Sequence, residues 1–222
     1  MFLLFCASFL GAVLSTLPPG PLNLRLVMFH LKKQRHQLFC FQFGIIFVDA
    51  CLSILAWFFS QKTIRFLSQF LPHSKIFTEM SEIIFICVLF GFSFWYIFSY
   101  FKKQKQILDE QIGFINLSFA FFAGAVGTLT IPGLVPFWYF WWISSSKFLD
   151  SIHPFYLVVL SIFVGVALGD SLVFTSYRYI ADFFYKKNKD ALIFAKLELV
   201  AGILFLFMAL FFMIQFMRFK II

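Results

Sequence analysis

The chain has 222 residues, 62% of them hydrophobic and 13% charged, with a mean hydropathy of +0.92. That balance excludes an ordinary soluble domain, since apolar runs of more than about 18 residues are what a bilayer crossing requires. The net charge of +8 does not point to nucleic acid, because Lys and Arg fall in short clusters between apolar runs, as topology signals do, and no nucleic-acid motif accompanies them.

The pattern predicts an all-α integral membrane protein with six spans: Leu3 to Phe29, Leu38 to Ser60, Ile83 to Phe101, Phe114 to Ile143, Pro154 to Tyr177 and Leu192 to Met217. No Lys or Arg precedes the first apolar run, so we expect it to be a retained span rather than a signal peptide. Span one carries Gly11-Ala12-Val13 and then Pro18-Pro19-Gly20-Pro21. Three prolines in four residues cannot continue a helix, because each lacks the amide donor and clashes with the preceding turn. The half-helix that starts there offers free amides and a positive dipole end to a carboxylate, and the carbonyls freed before it could coordinate a cation. Asn23 and Arg25 follow the break, and Arg25 could bind a substrate carboxylate, neutralise a buried acid or reach the headgroups.

Span two contains Gly44 and, roughly 15 Å deep at about 1.5 Å per residue, Asp49. The segment from Gln61 to Glu82 is expected as a long connection. Its apolar residues Ile64, Phe66, Leu67, Phe70 and Leu71 suit either a surface-lying or a connecting helix, ended by Pro72. Span three has no comparable signal. Span four repeats the opening of the chain: Gly124-Ala125-Val126 is followed by Pro132-Gly133 and then Pro136. It ends in Trp138, Tyr139, Trp141 and Trp142, which fit an interfacial aromatic belt or, more sharply, a cation–π gate for a substrate ammonium. Span five repeats span two, with Gly165 and, roughly 12 Å from its end, Asp170. Small residues four apart, such as Ser8/Ala12, Gly11/Ser15, Ala120/Gly124, Ala123/Gly127 and Gly165/Gly169, let helices approach closely.

Two buried acids at matching positions carry a cost of about 2.5–3.5 kcal/mol each on insertion scales, which implies a use: a proton relay or contact with a substrate ammonium. The structural alternative is a bond to a broken helix or to Arg25. The doubled motifs divide the chain, one transporter domain over 1–222, into repeat 1 (1–105) and repeat 2 (110–222). Each repeat has three spans, so equivalent spans must enter the membrane from opposite sides. This is an inverted-topology repeat with spans one and four broken. Lys32, Lys33, Arg35, Lys102, Lys103, Lys105, Arg178, Lys186, Lys187 and Lys189 outnumber Lys62, Arg65, Lys75, Lys147, Arg218 and Lys220 on the opposite side, which would put the first set in the cytoplasm.

Cys6, Cys40, Cys51 and Cys87 form no CxxC pair, and His30, His36, His73 and His153 show no metal-ligand spacing. No P-loop, dinucleotide fingerprint or nucleophile elbow occurs, so neither an enzyme, a metal site nor a cofactor is expected.

Gly11 with Pro18-Pro19-Gly20-Pro21-Leu22-Asn23 resembles the Gly-Pro-Asn region near the start of the LysE/RhtB family of amino-acid exporters. Gly44 to Asp49 resembles that family's next segment, Phe122-Ala123-Gly124 up to Ile131-Pro132 its second-half motif, and Gly165 with Gly169-Asp170 its fifth span. The chain departs from the pattern at Asn23, displaced by an inserted Leu22, and at Ile131, where the family has Asn and Thr130 is the nearest polar group. The resemblance implies a multi-pass exporter of amino acids or similar zwitterionic solutes in a bacterial inner (plasma) membrane. It would be driven by protons, with room for a homodimer. Asp49, Asp170, Arg25 and Asn23 would serve substrate or proton, and Pro19, Gly20, Pro21, Pro132 and Gly133 would open the backbone. Two other readings remain: a divalent metal-ion exporter of the wider superfamily, and a membrane assembly factor that transports nothing.

Overall fold

The computed structural model describes residues 1–18, 20–70, 74–102, 116–131, 133–145, 154–187 and 192–221. Those residues are all helical or in short turns. In chain order the helices are α1 (Phe2–Thr16), α2 (Pro21–Leu31), α3 (Arg35–Phe70), α4 (Ser74–Lys102), α5 (Leu117–Leu129), α6 (Leu134–Ser145), α7 (Phe155–Lys187) and α8 (Leu192–Ile221). Pro19, Leu71, Pro72, His73, Lys103, Lys105, Pro132, Lys147, His153 and Lys189, singled out above, lie outside the described residues.

The stretches Arg35–Phe66 and Phe155–Phe183 are long and apolar enough to cross a membrane. The pair Leu117–Leu129 and Leu134–Ser145, bent by 62°, is a third candidate if it is one broken span. Phe2–Thr16, Leu22–Leu31, Ile83–Trp95 and Phe205–Ile214 are shorter apolar helices. The outward faces are apolar as well: Phe39, Phe43 and Phe47 form an exposed stripe on α3, and Leu160, Val164, Leu168 and Leu172 do so on α7. Such continuous apolar surface is an interaction or lipid surface rather than a water-facing one.

α1 and α2 are separate helices, broken where the prolines fall. α2 begins with Gly20 as extended N-cap and Pro21 in the first turn, where a missing amide costs nothing. It ends in a Schellman turn: Lys33 adopts φ 58°, its amide donates to His30 O and that of Gln34 to Phe29 O, both at 3.0 Å. α3 corrects the expected connection at 61–82. It runs for 36 residues to Phe70, and α4 starts at Ser74, so no separate surface helix lies between them. Between Gly44 and Pro72 there is neither Gly nor Pro. Hydropathy falls after Ser60, but nothing in the backbone stops the helix.

α1 packs along α7, α5 along α3, and α4 along α8. On the α3–α5 seam, Gly44 lies against the backbone of Phe121 and Gly124 against that of Phe41, so closely that a Cβ on either would overlap a carbonyl oxygen. The main core gathers Leu4, Ala12, Ala50, Phe85, Leu89, Trp138, Trp142, Ile162, Val166 and Phe205 around α6. A second cluster joins Leu26 and Phe29 of α2 to Leu38, Phe41, Ala120 and Phe174. His30 of α2 meets Asp182 of α7 at 2.9 Å, while the ring of Trp57 of α3 lies 6.4 Å from that of Phe155, tilted against it, and Tyr139 of α6 donates to Thr63 at 3.1 Å. These contacts put the ends of α2 and α7 at one pole and the ends of α3 and α6 at the other.

Candidate functional site

Asp49 sits in the middle of α3 and Asp170 in the middle of α7, at 2% and 0% exposure. Helices α3 and α7 pack together, and the two carboxyls lie beside one another in that contact. Each uses one oxygen for a fixed donor. Trp138 Nε1–H of α6 donates to Asp49 Oδ1 at 2.6 Å. Thr16 Oγ1–H, at the last residue of α1, donates to Asp170 Oδ1 at 2.5 Å. The hydroxyl of Ser15 lies next to Asp49. The remaining oxygens, Asp49 Oδ2 and Asp170 Oδ2, are buried without a donor. Buried acceptors are nearly always satisfied, so an orphaned oxygen on each of two neighbouring carboxyls marks a place able to take a proton, a water or a cationic group.

The break between α1 and α2 forms one wall of this site. Asn23 is buried, and its Nδ2 donates to Thr16 O at 2.8 Å and Pro18 O at 2.9 Å. Tyr177 OH donates to Leu17 O at 2.6 Å. Three carbonyls at the break, those of Thr16, Leu17 and Pro18, therefore take side-chain donors, one of them from α7, and Pro18 O also accepts from Gly20 N–H at 2.8 Å. Among the described residues the break between α5 and α6 is closed by local bonds: Thr130 Oγ1 donates to Gly127 O at 2.7 Å and Leu134 N–H to Ile131 O at 3.2 Å. Leu129 and Ile131 there are exposed, and Gly133 abuts the ring of Phe92.

Of the residues singled out in the sequence, Asp49, Asp170 and Asn23 come together here, with Gly20 at the start of α2. Asn23 serves the backbone of the break. Arg25 is exposed on α2 and makes no ion pair with either acid among the described residues. The register explains this: Asn23, Leu26, Val27 and Phe29 take the inward face of α2, which leaves residue 25 outside.

The aromatic belt expected at the end of span four is corrected. Trp138 and Trp142 are fully buried and Trp141 is 7% exposed. Their indole N–H groups are directed inward, to Asp49, to Ser53 Oγ at 3.2 Å and to Ala7 O at 3.1 Å respectively. Thr16 is a functional candidate that sequence reasoning missed, and Trp138, singled out as a belt or gate residue, has instead the role of a donor to Asp49. A Trp near a span end fits an interface and a buried donor equally well. The available signal was spacing: Trp138/Trp142 on α6 and Asp49/Ser53 on α3 are both four residues apart.

No family model, curated protein or solved structure matches this chain.

Proposed function

We propose that this chain is a secondary-active membrane transporter that exports amino acids or similar small zwitterionic solutes in exchange for protons. The observation that carries the reading is the pair of buried acids, each contributed by a helix long and apolar enough to span a membrane, meeting at the broken end of α1. An acid pair at membrane depth, with no counter-charge among the described residues, suits a proton carrier or a seat for an ammonium group.

The packing supports an inverted repeat of three spans each, with α1–α2 and α5–α6 as the broken first spans. In that scheme the first half-helix of each repeat packs on the second span of the other: α1 on α7 and α5 on α3. The third spans, α4 and α8, pack on each other. The small residues on these seams allow one bundle to rock on the other. The similarity of the motifs to the LysE/RhtB pattern favours amino-acid export. Its second-half departure at Ile131 falls at the break whose described side-chain bond, Thr130 to Gly127 O, is a local one.

The test is efflux from loaded cells over a panel of amino acids, with wild type and the double variant Asp49→Asn, Asp170→Asn at equal membrane abundance. At least one solute should leave faster with wild type only. Equal rates for the two proteins, or a panel on which nothing moves, would refute the reading.

A further inference from the structure

We propose that Asp49 and Asp170 form a single proton site, with one proton held between their Oδ2 atoms, and that Trp138 is the positioning residue that ties this site to α6. The proposal deepens the transporter reading and rests on it for the use made of the proton, not for the proton's place.

The argument is one of unsatisfied atoms. Oδ1 of each acid has a donor, Trp138 for Asp49 and Thr16 for Asp170. Oδ2 of each acid has none and is sealed from solvent. A proton on either Oδ2 can donate to the other, which satisfies both orphaned acceptors with one hydrogen bond. Two carboxyls this close share a proton and titrate as a pair, not as independent carriers. Among the described residues no titratable neighbour stands beside the pair. The surrounding helices bring Ser15 and Thr16 from α1, Asn23 from α2 and Trp138 from α6, none of which titrates in the ordinary range. Tyr177 of α7 gives its hydroxyl to Leu17 O. Arg25 is exposed, and His30 pairs with Asp182.

Trp138 makes the site mechanical. It lies in the first turn and a half of α6, just past the second break, and is fully buried. Its bond to Asp49 is most strongly charge-assisted when the pair has lost its proton and weakens when the pair holds it, because the two carboxyls then carry one negative charge between them. One turn on, Trp142 makes the parallel bond to Ser53, which carries no charge in either state. The protonation state of the pair therefore alters one rung of the α3–α6 contact and leaves the other unchanged.

The experiment is an infrared pH titration of the purified full-length protein in lipid vesicles, following the buried protonated carboxyl. No solute is needed. Wild type should take up the shared proton in a single step that Asp49→Asn and Asp170→Asn displace alike, since each removes one of the two carboxyls that hold it. Trp138→Phe, which keeps a ring but loses the N–H, should displace that step by about one pH unit, a tenfold change in proton affinity. Trp142→Phe should leave it in place. Two steps in wild type, one removed by each Asn variant while the other stays in place, would overturn the shared site. An undisplaced step in Trp138→Phe, or an equal displacement in Trp142→Phe, would overturn the role of Trp138. Should Trp138→Phe not yield folded protein, tryptophan emission of wild type supplies the second measurement. It should change across the step and lose that change in Asp49→Asn, and emission independent of pH overturns the link. A protein with the single step that moves no solute would sink the transporter reading and leave the proton site standing.

Discussion

Asn23 donates from one amide nitrogen to two carbonyls, Thr16 O and Pro18 O, at the point where three prolines leave the backbone open. That gives an exact reason for the amide rather than a carboxyl of the same size. Asn23→Asp would set an acceptor against two acceptors inside the protein, whereas Asn23→Ala only removes the donor. Asn23→Ala takes this donor from Thr16 O, while Pro18 O keeps the Gly20 amide. A buried carbonyl that loses its donor costs about 1–3 kcal/mol, so Asn23→Ala should lower the thermal midpoint of the purified protein, and Asn23→Asp should lower it further. Equal midpoints for wild type and Asn23→Asp would show that the clamp contributes nothing. At this scale the sequence was informative about where polarity is buried. Asp49, Asp170 and Asn23 stand out against apolar surroundings, and all three are buried. It was silent on what each touches, because partners such as Thr16 and Trp138 come from helices far away in the chain, and their residue types are common at many other sites.

The elements follow the backbone chemistry more closely than the hydropathy. α1 ends where Pro18 begins the break, and α5 ends before Pro132-Gly133, as the doubled motif suggests. The connection after Ser60 was misjudged because polarity was taken for a stop, while α3 continues through Lys62 and Arg65 without a Gly or Pro to end it. The aromatic end of span four was misjudged because an amphipathic indole suits two environments. The seams between elements offer a sharp comparison. A Cβ at Gly44 would enter the carbonyl of Phe121, whereas one at Gly91 meets nothing within 4 Å. Gly44→Ala should therefore force α3 from α5 and cost about 1–3 kcal/mol, as overpacking does. Gly91→Ala should be neutral or slightly stabilising, since Ala favours a helix by about 1 kcal/mol. Thermal melts of the two variants beside wild type decide it, and a Gly44→Ala protein as stable as Gly91→Ala would contradict the close seam.

Across the whole molecule, the acids connect parts that are remote in sequence. Asp49 joins α3 to α6, and Asp170 joins α7 to the end of α1. In the proposed repeat each acid therefore holds a broken span of the opposite half, and a change in their protonation acts on both breaks together. Lys32, Lys33, Arg35 and Arg178 follow the pole defined by His30 and Asp182, while Lys62 and Arg65 follow that of Thr63 and Tyr139. This arrangement suits spans that alternate in direction. The most direct measurement of the central claim is solute movement in vesicles reconstituted with the purified protein, under an imposed pH gradient. Wild type should accumulate at least one amino acid or related zwitterion at least tenfold faster with the gradient than without it, a difference of about 1.4 kcal/mol in barrier, and Asp49→Asn and Asp170→Asn should each lose that response. Movement that ignores the gradient, or that survives neutralisation of both acids, would contradict the account.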